Sequence, residues 1–393
     1  MITKSNILSI FVASFLFFPN IHYRFMFVYG ITFLCLLSLL NIVRFDRKDY
    51  IILTTGLLIF IPQIVIRWII FPDSGLRDLV EFGRILFLLL SFCTIRHIPI
   101  YMEKLTKIIK IYIIFDFVIS IMQFFHLYPA LSSIIEHTYS REHHIENSLG
   151  ISNRALGLSS DPSSHGLMIL ILITILLLCS IMYQVRNSIK TSLPIIIMGI
   201  FSILTSQSQT AFIGLLIMIT VVFFFYSYQH KNRFSFYLFF VFLGISAILF
   251  IIPFLENLQY LTTLFSDGLG RSSYILRIRK RELFLDMAME NPIGILLGYG
   301  KDYFGQHSAA MDNEHLYIFL VYGLPVYILF CVMLLRQIVN LIKGNRNFYL
   351  FAIPILIGIP LAWSSSYYLS PKIMFVLTIL YAYCKAQTNN NFS

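Results

Sequence analysis

Runs of roughly 20 apolar residues recur from one end of the chain to the other, and each is long enough to cross a bilayer core as a helix. In hydrocarbon every backbone N–H and C=O needs an internal partner, so helices are the natural solution for such runs. The runs do not alternate apolar with polar, as the strands of a membrane barrel would. Composition agrees. Of 393 residues, 58% are hydrophobic and 12% charged, whereas a soluble domain is about half apolar and about a quarter charged. The expected fold is an all-α polytopic membrane protein forming a single integral domain over residues 1–393.

The apolar runs predict twelve helices, at about 6–21, 25–43, 50–70, 79–95, 108–127, 166–184, 193–206, 209–228, 235–255, 314–340, 348–365 and 370–385. Lysines and arginines orient them. With the N-terminus inside, the inner segments hold sixteen of these residues and the short outer connections four, which is the bias that membrane insertion produces. Both termini are then cytoplasmic. The net charge of +10 is explained by this distribution, so nucleic-acid binding is not expected. The first run follows Lys4 without a small-residue cleavage site and reads as a retained helix. Cys35, Cys93, Cys179, Cys331 and Cys384 lie in or beside apolar runs and show no metal spacing.

Two connections are far longer than the rest, at 128–165 and 256–313, and both fall outside in this topology. Long loops that carry aromatics, glycines and mixed charge read as ordered and functional. They are expected to cooperate over one site. No internal repeat relates the two halves, as many transporters would show.

Four stretches could carry chemistry. Asn153-Arg154-Ala155-Leu156-Gly157 leads through Asp161-Pro162 into a membrane helix. A helix entry favours anions, and Arg154 offers a planar donor fork for phosphate, although an ordinary interfacial arginine beside a capped helix would look the same. Leu204–Thr210 is polar between two apolar helices, either a tight surface turn or a run whose side chains find partners or line a wet cavity. In the second long loop, Arg277, Lys280 and Arg281 share a helical face with Phe284, while Glu282, Asp286 and Glu290 line the opposite one. A solvated charged helix is the plain alternative. Arg279 belongs to the same basic run, set outside against the charge bias. At the next helix entry Asp312 and His315 are candidate acid or base groups, or simply a cap and a packed ring. Within the membrane, Glu81, Arg84 and Asp116 are the clear charges. The remaining histidines match no metal motif, and none is expected to hold a metal.

These pieces, in this order, resemble the O-antigen polymerase and ligase superfamily, whose polymerase branch is called Wzy. Arg154-x-x-Gly157-x4-Pro162 is similar to the family's Arg-x-x-Gly…Pro segment, and Ser208-Gln209-Thr210 to its Ser-Arg-Thr turn, with glutamine where arginine is common. Arg277 with Pro292, Gly294, Gly298 and Gly300 is similar to the arginine and Pro…Gly-x-Gly run of the large periplasmic loop, and Asp312-Asn313 to the pair that opens the next helix. The resemblance implies a GT-C-like fold in a bacterial inner membrane. It implies glycosyl transfer at the periplasmic face between polyprenyl-diphosphate-linked oligosaccharides, undecaprenyl being the carrier. No cofactor is required, and a chain-length regulator is a possible partner. Arg154 and Arg277, supported by Arg279, Lys280 and Arg281, would bind the diphosphate, and Asp312 or His315 would act as base. Ligation of finished glycan to a lipid A core is the nearest alternative, and flipping of lipid-linked oligosaccharide the more distant one.

Overall fold

The computed structural model describes residues 4–19, 23–40, 42–71, 75, 77–97, 102–182, 188–229, 272–305, 313–343 and 348–390. Among these there are helices and connecting turns and no strand. Helices stand at eleven of the twelve expected positions, and the ninth, 235–255, lies outside the described residues. They are α1 (Lys4–Phe17), α2 (Tyr23–Leu39), α3 (Arg47–Ile70), α4 (Arg77–His97) and α5 (Met102–Phe124). The first long loop folds as α6 (Pro129–Tyr139), then a short turn of helix that runs into a π-helical segment, Ile145–Ile151. After it come α7 (Pro162–Met182), α8 (Ser188–Ser206) and α9 (Gln209–Gln229). The second long loop contributes α10 (Ser272–Glu290), α11 (Ile293–Leu297) and α12 (Lys301–Gly305). The chain ends with α13 (Glu314–Tyr322), α14 (Leu324–Ile342), α15 (Tyr349–Leu361) and α16 (Pro371–Asn390).

Arg47–Ile70, Pro162–Ile181 and Leu324–Ile342 are each long and apolar enough to cross a membrane unaided. Large apolar side chains stay exposed along α3 (Leu58, Ile59, Trp68, Ile69) and α14 (Ile328, Leu329, Leu335, Ile342). Exposed apolar faces of that extent belong to a protein solvated by lipid.

The chain divides into two compact units, one of residues 1–108 and 272–393, the other of residues 109–271. In the first, α4 packs against α2, α3, α12 and α16, and α14 against α13 and α15. Its core includes stacked rings, Phe15 on Phe87 at 4.9 Å and Phe11 on Phe33 at 4.2 Å. In the second, α7 is wrapped by α8 and α9, and its side chains are almost wholly buried.

The single helix expected at 314–340 is two. Gly323 takes φ +88°, and Pro325 in the first turn of α14 has no N–H to continue the ladder. The carbonyls freed by this break are all taken. Tyr299 N–H donates to Leu320 O at 2.8 Å and Gly300 N–H to Val321 O at 3.2 Å. Arg67 Nη1, on α3, donates to Val321 O at 2.9 Å, and Gln63 Nε2 donates to Tyr322 O at 2.5 Å and also to Leu297 O. A β-carbon at Gly298 would lie 2.5 Å from Val321 O, where backbone meets backbone, and one at Gly300 would meet the Asp78 carboxylate.

Candidate functional site

In the first unit the site is built on α10. Phe284, Met287 and Ala288 bury one face of that helix with Tyr299, Leu320 and Tyr322. Arg277, Lys280 and Arg281 continue this face and are half-buried, whereas Glu282, Asp286 and Glu290 are exposed on the other. The basic trio therefore points inward, and the solvated charged helix is the wrong picture for it; Arg279 alone lies exposed with the acids. Arg281 sits 6.0 Å over the ring of Trp363, and its Nε is buried without a hydrogen-bond partner among the described residues. Trp363 is 53% exposed and also faces His315, 5.4 Å away between centroids. One indole thus joins the basic helix to the candidate base.

His315 Nε2 lies 3.1 Å from Ile359 O. A carbonyl only accepts, so Nε2 carries a proton and a neutral ring has its lone pair on Nδ1. Asp312 lies outside the described residues. The cap of α13 is its neighbour Asn313, whose side chain accepts from Leu316 N–H at 3.0 Å. Glu314, the third acid or base group of this stretch, is 1% exposed and accepts N–H bonds from Tyr367, Tyr368 and Leu369, two of them at 2.9 and 2.7 Å. This carboxylate fixes the turn that holds Trp363 to the start of α13. Next to it α4, α14, α15 and α16 line an open apolar cavity of about 550 Å³. Phe330 and Tyr368 line the cavity, and Phe330 packs on His315 at 5.8 Å.

Glu81 and Arg84 pair at 2.7 Å, as their spacing predicts. Lys301 joins them at 3.1 Å and Tyr322 donates its hydroxyl to Glu81 at 2.5 Å. With Lys301 N–H on Asp78 at 2.7 Å, this network moors the end of the second loop to α4. Tyr299 donates to Ala288 O or Asn291 O, each at 2.6 Å, and burial pushes its hydroxyl up to about 12, so it stays a donor at neutral pH.

In the second unit Arg154 is half-buried, and its Nε donates to Ser206 O at 3.2 Å. Ala155 N–H donates to Thr205 O at 2.9 Å, and Gln207 Nε2 to Asn153 O at 3.0 Å. The polar run 204–210 is therefore not a surface turn, and its buried groups find partners, as polar groups at this depth must. Thr205, Ser206 and Gln207 are buried where they meet the arginine segment, and Ser208 is buried beside Gly166 at the start of α7. The arginine segment docks on Thr205, Ser206 and Gln207, the residues just before Ser208-Gln209-Thr210. The entry of α7 is capped by Asp161, which accepts from Ser164 N–H at 2.9 Å, so the chain's own carboxylate sits where an external anion was expected. Three side chains of α5 complete the arrangement. Gln123 Oε1 accepts from Leu156 and Gly157 N–H at 2.9 and 2.8 Å, and Asp116 Oδ1 accepts from Leu158 N–H at 3.0 Å. His165 Nε2 meets Asp116 Oδ2 at 2.8 Å, and Ser120 Oγ lies 3.2 Å from the same nitrogen. Asp116, Ser120 and Gln123 stand at i, i+4 and i+7, a polar stripe on an apolar helix that the sequence did contain.

One further cluster has metal-ligand residue types, Asp46, Asp49 and His97. The two aspartates already form a reciprocal cap at the start of α3, at 2.9 and 2.8 Å, and Arg96 bridges both. The Asp49 backbone N–H holds the Asp46 carboxyl below its ordinary range. A guanidinium fills the place a cation would take.

Fold and site define an α-helical membrane protein whose connecting segments, where described, carry inward-facing arginines. Residues 193–331, less than half of the chain, match the Wzy_C family model, described as O-antigen ligase, a likeness that supports the O-antigen polymerase and ligase superfamily. The matched stretch contains Ser208-Gln209-Thr210, Arg277 to Arg281, Gly298, Gly300 and His315; Arg154 precedes it. A search of the curated proteins found no match.

Proposed function

We propose that the chain is a polymerase of lipid-linked glycan repeat units, working at the periplasmic face of the bacterial inner membrane. The observation that carries this reading is the inward basic face of α10 beside Trp363 and His315, inside the matched family region. An acceptor hydroxyl attacks the anomeric carbon of a polyprenyl-diphosphate-linked donor. The bond to the diphosphate oxygen breaks, with inversion, and the lipid diphosphate leaves. Arg277, Lys280, Arg281 and Arg154 are assigned to the diphosphate, whose growing negative charge is the main demand of such a step, and Arg279, on the exposed face with the acids, is left out of that set. His315, with Asp312 as the other candidate, is assigned to take the hydroxyl proton. The apolar cavity beside His315 supports a substrate with a hydrocarbon tail.

The test is complementation of a deletion strain with Arg281→Ala, Arg277→Ala and Arg154→Ala, reading lipopolysaccharide ladders and protein level. Loss of ladders at normal protein level is the expected result. Normal ladders from all three would overturn the assignment. The family description favours a second reading, ligation of finished glycan to a lipid A core. Deletion separates the two, because loss of a polymerase leaves cores with one repeat unit and loss of a ligase leaves bare core.

A further inference from the structure

Asp116 is 0% exposed and His165 1%, both in the helical core of the second unit, and the proposed chemistry uses neither. A buried ion pair is a weak source of stability, since apolar residues of similar volume often serve as well or better. What this pair does is hold backbone. Leu156, Gly157 and Leu158 give their N–H groups to Gln123 and Asp116, and Ala155 O lies 3.2 Å from His165 Nδ1. Four consecutive residues after Arg154 are thereby fixed by side chains from α5 and α7. His165 faces a carbonyl with one nitrogen and a carboxylate with the other, two acceptors, so the clasp is complete only when a proton lies on or between each contact. Gln123 Nε2 is buried with no partner among the described residues, a cost borne while Oε1 takes two bonds. Gly157 is at φ +52°, and a β-carbon there would lie 2.5 Å from Asp116 Oδ1 and from His165 Nε2.

We propose that Asp116, His165 and Gln123 are positioning residues that hold the Arg154 segment in the one conformation that presents its guanidinium to the diphosphate. This rests on the reading of Arg154 given above. The clasp fixes the segment from below, through its N–H groups, while Thr205 O and Ser206 O fix it from the side.

The test uses the full chain in nanodiscs with lipid-linked repeat units extracted from the deletion strain. Asp116→Leu and Gln123→Leu are expected to lower kcat on the order of 10²-fold, the cost of a misplaced catalytic group, with KM little changed. Asp116→Asn, which keeps an acceptor for Leu158 N–H, is expected to restore most of the rate. Each change combined with Arg154→Ala should fall no further than Arg154→Ala alone. Additive losses would overturn the proposal and leave the clasp a stability element. If Asp116→Leu fails to accumulate, Gln123→Leu decides the matter by the same cycle. Full activity in Arg154→Ala would sink the assignment of Arg154 itself, and the positioning role with it; that outcome is distinct from additivity.

Discussion

At the scale of single residues, several buried polar side chains organise backbone. Glu314 is the clearest case. Its carboxylate meets three N–H donors, and glutamine would bring one acceptor and an NH2 group to the same place. Glu314→Gln is therefore expected to cost about 2–4 kcal/mol from mismatched buried donors. A drop in the thermal midpoint of the detergent-solubilised protein measures this, and an unchanged midpoint would refute it. Gly157→Ala is expected to do comparable damage by a different route, since its φ is positive and the Asp116–His165 contact leaves no room. Its signature is low accumulation, relieved by no change of ionic strength.

At the scale of elements, the break between α13 and α14 organises the first unit. An unbroken helix would need no outside donors. The broken one draws in Arg67 and Gln63 from α3 and the Gly298–Gly300 run from the second loop. A β-carbon at Gly323 would lie 2.6 Å from Gly298 N and Leu296 O, both backbone atoms that cannot swing aside. Gly323→Ala should therefore detach residues 293–305 from the break and expose them to protease, at otherwise intact α3 and α4. Gln63→Leu leaves two carbonyls short of their donor and should destabilise by roughly 1–3 kcal/mol, read as faster hydrogen exchange in α11 and α13.

At the scale of the molecule, charge bias and loop length make a topological prediction. Reporter fusions near residues 145 and 285 should both report the periplasm. Residues 145 or 285 found in the cytosol would end the proposed chemistry. The sequence by itself determined the helices, because membrane-length apolar runs leave the backbone no other way to pair its polar groups. It also determined the two faces of α10, since a helix repeats every 3.6 residues whatever surrounds it. The break at Gly323 was half legible. Gly323 and Pro325 permit it, but a glycine and a proline are tolerated in many membrane helices, and only the donors waiting on α3 and in the second loop make the break cheap. The roles of Asp116, Gln123 and Glu314 were not legible at all. Each satisfies N–H groups far away in the chain, and which donors meet which acceptor is decided by how the helices pack, not by any local spacing.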